Sequence, residues 1–443
     1  MNYSEAVRYL LSFADFERSG RFLDRPDVAP MLALLHELRD PHLGRRTVHV
    51  AGSKGKGSVS AMVESILRQA GYWTGLYTSP HLHSYRERIR INGDPLTPEG
   101  FARLTTALKR GVDPVLGNLG ERSLVTFDLL TALGFLAFNE ADAQVQVMEV
   151  GLGGRVDSTN VFAMKDVAVI TPLSLEHTQI LGSTIEEIAH EKAGIITPGS
   201  MVVMAPQQHE AAERVIRDAA AAAGAEVIDV ARDYRWRITR HDFKRQEVRI
   251  EHGGKPLMSR LALLGAHQVE NAVTAVACVN ALRERGAHIP DESVLDGLAS
   301  VRWPGRGEVL TETPLVIADG AHNRGSAQRL REMLAEYFPG DRAFFIVGAS
   351  ADKDIEGLAE ELAPMAERVF AVRTDHPRAM EPQRIAAAFA ALGVPIEVRN
   401  DVGEALDTAM ASKAGRAVIC ATGSLFVAAE AREHLGLAER EPI

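Results

Sequence analysis

The sequence predicts an α/β protein of two domains. The first is a mostly parallel sheet with a small antiparallel β addition, and the second is another α/β unit. Three observations carry this. Short β-branched runs alternate with amphipathic helical stretches along most of the 443 residues, the pattern of a parallel sheet covered by helices. A glycine-rich loop joins one such run to one such helix at TVHVAGSKGKGS, Thr47 to Ser58. A break at Trp303-Pro304-Gly305-Arg306-Gly307 separates this series from a second one, a linker signal in a chain too long for one ordinary core.

In order, residues 3–40 read as helices, with Tyr3, Ala6, Val7, Leu10 and Leu11 on one face and Met31, Leu34, Leu35 and Leu38 on another. Thr47–Val50 reads as a strand. Behind the glycine loop, Val59, Met62, Val63, Ile66 and Leu67 recur at helical spacing. Trp73–Tyr77 is a second strand. From Pro80 to Pro98 there is no long periodic segment except Arg88–Ile91, and long loops of this kind often carry function. Helices are expected at 101–109 and 125–138, and strands at 145–150 and 166–170. Ser183-Thr184-Ile185-Glu186-Glu187 is a capping box opening a helix that runs to Glu191-Lys192-Ala193-Gly194. Strand 201–204, helix 208–223 and strand 226–230 continue the alternation. Residues 235–238, 247–250 and 261–264, with Gly253-Gly254 between, read as the antiparallel addition, and helix 267–282 contains Asn271. Past the linker, strands at 315–318, 343–347, 368–372, 395–398 and 417–420 alternate with helices at 325–337, 355–366, 382–391, 402–412 and 424–434.

Composition narrows the class. Apolar residues make up 46% and charged residues 24%, ordinary for a globular chain. The net charge of −10 argues against a general nucleic-acid binder. Cys278 and Cys420 lie in apolar surroundings and read as buried thiols of a reducing compartment. The N-terminal stretch carries Glu5 and Asp15 and lacks a signal-peptide pattern. No window approaches the ~18 apolar residues that a membrane span needs. A cytoplasmic protein is expected, with no membrane partner.

Strand, glycine loop, lysine, helix is the layout of a phosphate cradle: glycines let N–H groups approach an anion, and the helix N-terminus adds positive potential. The match to GxxxxGK[ST] is imperfect. Val50 stands at the first Gly, and Gly57 separates Lys56 from Ser58. Other polar groups fall at strand ends, where open α/β sheets hold ligands. Glu149 inside VMEV needs a cation, a metal or hydrogen-bond donors. Ser79 follows one strand and His177 another; a hydroxyl, a carboxylate and an imidazole near such a loop could form a sparse Mg2+ shell, or serve as turn, cap and core residues. Lys192 at a helix end suits the dipole. Asp319, His322 and Asn323 repeat the strand-end pattern in the second series, and Arg306 in the linker could reach a phosphate or stay solvated.

These motifs together resemble the folylpolyglutamate synthase/dihydrofolate synthase family of the Mur ligase superfamily. HVAGSKGKGSV is similar to that family's HVAGTNGKGSV. TSPHL, Glu87-Arg88-Ile89, MEVGLGGRVDSTN, LEHTQILGSTIEEIAHEKAGI, GAHQVENA, PGR, DGAHN, TDHPRAM and TGSLF follow in the family's order, from about residue 47 to 426. The resemblance implies a Mur-ligase-type ATP-binding P-loop domain over 1–300 and a C-terminal Rossmann-like ligase domain over 301–443. It implies an ATP-dependent ligase that adds L-glutamate to a folate, to dihydropteroate, or to both, through an acyl phosphate. Carried over by motif, Gly52, Ser53, Lys54, Gly55, Lys56, Gly57 and Ser58 cradle the ATP phosphates, with Asn271, Arg306 and Asp319 as further ATP contacts. Ser79, Glu149 and His177 correspond to Mg2+ ligands, for two ions, and Lys192 to a carbamylated lysine; Lys56, Glu149, His177 and Lys192 are the implied catalytic set. Ser79, Pro80, His81, Arg86, His322 and Ser424 are the implied folate and glutamate contacts, and a monomer is expected. The chain departs from the family at Ser53-Lys54 (Thr-Asn there), at Phe127-Asp128 (often Phe-Glu) and at Arg39-Asp40-Pro41 (often Gly-Asn-Pro). The alternative expectation is a Mur-type ligase acting on a non-folate carboxylate; a P-loop switch is a third.

Overall fold

The computed structural model describes residues 1–15, 27–119, 124–412 and 418–441. Parts of the helical reading over 3–40, and the first residue of the strand expected at 417–420, lie outside them.

The first sheet has eight strands. In spatial order they are Asp94–Pro95, Ile89–Ile91, Thr74–Tyr77, Val145–Glu149, Arg46–Ala51, Val167–Ile170, Met201–Met204 and Glu226–Asp229. The last six are mutually parallel, and the first two add an antiparallel edge. Strand 145–149 inserts between 46–51 and 74–77, and the next strand, 167–170, lies on the far side of 46–51. Strand order therefore reverses at 46–51, and ligands of open α/β sheets bind beyond the carboxyl ends at such a point. Val48 and Val50 are fully buried there, each contributing about 1.5–3 kcal/mol by burial. Helices Lys56–Gln69 and Ala266–Glu284 cover one face, and Tyr3–Leu11, Ala29–Glu37, Pro98–Leu119 and Thr126–Glu140 cover the other.

The second sheet has six strands, in the order Glu308–Glu312, Leu315–Ala318, Val418–Thr422, Ala343–Val347, Ala366–Ala371 and Ile396–Val398. Only the first pair is antiparallel. Between the two sheets lie three antiparallel strands, Tyr234–Asp242, Arg245–His252 and Lys255–Leu261. Phe243 at their hairpin tip, and Leu264, pack into a core of the second sheet.

Several expectations need correction. The third strand of the small sheet occupies 255–261, not 261–264; its Lys255, Pro256 and Arg260 face outward and hide the period. Strand Glu308–Glu312 and helix Asp291–Ser300 are additional to the expected elements. The helix expected at 101–109 runs from Pro98 to Leu119: Gly111 is a buried packing position, and the exposed Pro114 lies inside the helix without ending it. Gly111 lies so close to Leu38 that a Cβ would meet its Cδ2 at 2.8 Å.

Candidate active site

The glycine loop leaves strand Arg46–Ala51 and enters helix Lys56–Gln69 through Gly55, whose φ of 86° is left-handed. No side chain among the described residues caps this helix, so its first-turn N–H groups and dipole remain open to an anion. Each glycine answers a close approach. A Cβ at Gly52 would lie 1.8 Å from Thr171 Oγ1, and one at Gly55 2.3 Å from Asn271 Oδ1. At Gly57 it would meet the Trp303 ring at 3.0 Å. Ser53 and Lys54 donate their backbone N–H to Pro172 O, and Ser53 Oγ donates to Ser174 O. Asn271 therefore stands directly beside the loop, held by Gln268 at 3.0 Å.

Around this loop the structure gathers charge. Lys56 Nζ and Lys192 Nζ both donate to Gly52 O, at 3.1 and 2.8 Å. Glu176 is shared: one carboxylate oxygen takes Lys192 at 3.2 Å and the other Lys54 at 3.3 Å. Burial alone would raise Glu176, but Lys192, Lys54 and Lys56 hold it at about 2. Burial in turn pushes the Lys192 ammonium down to about 8, against the pull of Glu176. Glu149 ends its strand buried, and burial pushes it up to about 7 despite Lys56, the Ser79 N–H at 3.2 Å, Arg306 and Arg88. His177 takes a left-handed φ of 50° at the start of the short helix Thr178–Leu181, and burial lowers its imidazole to about 4.

The second sheet contributes its own strand end. Asp319 accepts N–H groups of Gly307 at 2.7 Å and Ala321 at 2.8 Å, and burial raises it against the nearby Arg306 charge. His322 Nδ1 meets Gly320 O at 2.9 Å; burial, with Lys54, Lys353 and Arg306 nearby, lowers it to about 3. Arg306 acts on both Glu149 and Asp319, so the linker arginine stands between the two strand ends.

The loop after Ser79 divides. His81 accepts from Arg88 Nε at 3.0 Å and packs on Tyr85. Arg86 pairs with Glu441 and donates to Leu96 O, so in this structure it is spent on the chain's own carboxylate. Pro80 follows Ser79 through a cis bond. Ser424 caps helix Leu425–His434 by accepting Val427 N–H. The structure thus brings together Gly52–Ser58, Ser79, Glu149, His177, Lys192, Asn271, Arg306, Asp319 and His322, and engages Arg86 and Ser424 elsewhere. Sequence reading missed Glu176, Lys353 and Trp303. Glu176 could have been found as the carboxylate beside His177 in a lysine-rich site.

The chain matches two family models: Mur ligase middle domain over residues 50–279, and Mur ligase, glutamate ligase domain, over 305–425. It is 36% identical to a probable bifunctional folylpolyglutamate synthase/dihydropteroate synthase of Halobacterium salinarum, over 98% of this chain and 51% of that protein. The chain thus spans about half the length of that relative. It is 32% identical to a dihydrofolate synthase/folylpolyglutamate synthase of Bacillus subtilis, over 94% and 96% of the two chains. Among solved structures, folylpolyglutamate synthase of Mycobacterium tuberculosis, complexed with ADP and AMPPCP, aligns with a TM-score of 0.88 at 31% identity over all of both chains. With both Mur ligase domains matched in order and near-full-length likeness to the Bacillus subtilis and Mycobacterium tuberculosis enzymes, the chain belongs to the folylpolyglutamate synthase/dihydrofolate synthase family.

Proposed function

We propose that this protein is an ATP-dependent ligase that joins L-glutamate to a folate, to dihydropteroate, or to both. The observation that carries this is the pairing of an uncapped glycine-loop helix, ringed by Lys54, Lys56 and Lys192, with the Asp319–His322 strand end across Arg306. The relatives' names favour a folate acceptor over a non-folate carboxylate.

In this reading the γ-phosphoryl group passes from ATP to a substrate carboxylate oxygen and ADP leaves. The glutamate amine then attacks the acyl carbon, phosphate departs, and the amine proton goes to solvent. Phosphoryl transfer asks for positioning and charge compensation more than covalent chemistry. Gly52, Gly55, Gly57 and Ser58 place N–H groups against the phosphates, Ser53 shapes the loop through its own bond to Pro172 O, and Lys54 and Lys56 neutralise the charge. Asn271 stands at the adenine side, Arg306 serves a phosphate and Asp319 the ribose. Ser79, Pro80, His81 and His322 border the folate and glutamate; Arg86 and Ser424 would join them on release from Glu441 and the Val427 N–H.

Ser79, Glu149 and His177 are the residues that would hold Mg2+. Glu149 suits this role: it is a buried carboxylate offset by nearby cations and the Ser79 N–H, a setting that a divalent ion would stabilise. Mg2+ would supply charge neutralisation at the γ-phosphoryl oxygens. Lys192 suits carbamylation, because its ammonium is lowered to about 8 and an amine must be neutral to take up CO2. We further infer an ATP-binding domain over 1–300, a ligase domain over 301–443, and a cytoplasmic monomer; no helix among the described residues is long and apolar enough to cross a membrane.

The test is ATP with labelled glutamate against dihydropteroate and tetrahydrofolate in parallel. The expected result is little phosphate release until both acceptor and glutamate are present. Strong ATP turnover without either overturns the reading.

A further inference from the structure

The loop GLGGRVDSTN, Gly151 to Asn160, follows Glu149, and the mechanism above does not use it. It rests on a buried polar chain that starts at Lys165. Lys165 is 5% exposed, His49 and Thr159 are 0%, and Asp157 is 6%. Lys165 Nζ lies 2.9 Å from His49 Nδ1 and donates to Asn160 Oδ1 at 3.0 Å. His49 Nε2 lies 2.8 Å from Thr159 Oγ1, and the Thr159 hydroxyl donates to Asp157 Oδ1. These contacts fix the tautomer. The threonine proton is committed to Asp157, so its oxygen accepts from His49 Nε2–H, and Nδ1 accepts from Lys165. Asp157 Oδ2 then accepts the N–H groups of Gly151 and Leu152, at 3.1 and 3.0 Å, two and three residues past Glu149. A second branch leaves through Asn160, whose Nδ2 donates to Arg155 O and to Gly194 O at 3.2 and 3.0 Å. Arg155 N–H in turn donates to Glu191 O, so this branch grips the end of the helix that carries Lys192.

We propose that Lys165 is a positioning residue: it ties the glycine-loop strand, the Glu149 strand end and the Lys192 helix into one framework through His49–Thr159–Asp157 and Asn160. The arrangement is costly if it only fills space. A buried lysine must be met by partners on every side, and its ammonium is pushed down to about 7 by burial, with the Phe162 ring 5.7 Å away. A methionine would fill the same volume without needing four polar side chains to agree. Networks of this kind orient the groups they support, and losing a supporting partner typically costs activity while the site's own ligands remain.

The kinetic half of the test rests on the ligase reading; the exchange half does not. K165M should lower kcat by about tenfold with KM for ATP within about twofold. In its amide hydrogen exchange, Gly151, Leu152 and Arg155 should lose protection while strand 343–347 of the second sheet keeps it. T159V cuts only the first branch and should expose Gly151 and Leu152 alone; N160A cuts only the second and should expose Arg155 alone. These milder variants carry the test if K165M does not fold. Uniform loss of protection across the protein in all variants, or unchanged exchange at the three amides, overturns the proposal whatever the activity. The branch-specific exchange pattern without any ligase activity sustains the framework and overturns the ligase reading instead.

Discussion

At the carboxyl end of strand Arg46–Ala51, three lysines crowd one carbonyl and one carboxylate: Lys56 and Lys192 on Gly52 O, Lys54 and Lys192 on Glu176. At the end of strand Leu315–Ala318, Asp319 is instead held by two backbone N–H groups, and His322 by a backbone carbonyl. Both are strand–loop–helix units facing one cleft. The first is held by side-chain charges, for which a bound polyanion would compete. The second is fixed by main chain and keeps its shape. The difference suits the reaction proposed above, with the first end managing charge during phosphoryl transfer and the second presenting a constant surface to the amine substrate.

Removing a charge at the first end should therefore hurt most. Lys192→Ala is expected to cut glutamate-dependent phosphate release by about 10²–10³-fold, the scale of losing one preorganised charge-stabilising group, with partial rescue by added short carboxylates. Full activity in the variant would remove Lys192 from the mechanism.

Next in size, Glu149→Gln should lower Mg2+-dependent turnover by about 100-fold while leaving the fold intact. It also carries a pH signature. Glu149 is raised from 4.5 to about 7 by burial, so its contribution is fully present below pH 4.5 and is lost as pH rises through about 7. In metal-free protein, wild type should fall by about 3 kcal/mol relative to Glu149→Gln across that window. Parallel unfolding curves for the two proteins over that range would show that the carboxylate is not strained.

At the second end the sign reverses. Burial lowers His322 from 6.5 to about 3, so its contribution is present above pH 6.5 and lost as pH falls toward 3. His322→Gln should close that gap, with a melting midpoint about 3 °C less sensitive to acid; an unaltered acid limb would break the contrast between the two ends.

The smallest effect is expected at Lys54, where the pair with Glu176 is partly exposed. Lys54→Asn should raise KM for ATP about threefold, and less at high salt. A salt-independent change would mean that Lys54 acts through packing.

The same contrast explains what was legible in the sequence. Strands 315–318 and 343–347 fall where the apolar runs place them, because strands buried on both faces have no outward side to interrupt the pattern. Half-exposed edge strands such as 308–312 and 255–261 mix Glu, Lys and Arg into the run and disappear from view. Helix 291–300 was hidden by Asp296 and Gly297 between its buried Val294 and Leu298. The glycine loop was readable because its chemistry is local. Glu176 and Lys165 were not, since their partners lie up to 122 and 116 residues away and only the folded chain brings them together.

Phe243 and Leu264 have a bearing on how the chain is made. Both precede the linker, yet they complete a core of the second sheet, and Tyr337 reaches back to hydrogen-bond Gln246. A polypeptide severed near 300 would leave the second piece with an apolar socket and the first with an unsheltered hairpin tip. During synthesis the hairpin is therefore translated well before the sheet that receives it, and the two halves should reassociate when produced as separate fragments in the same cell.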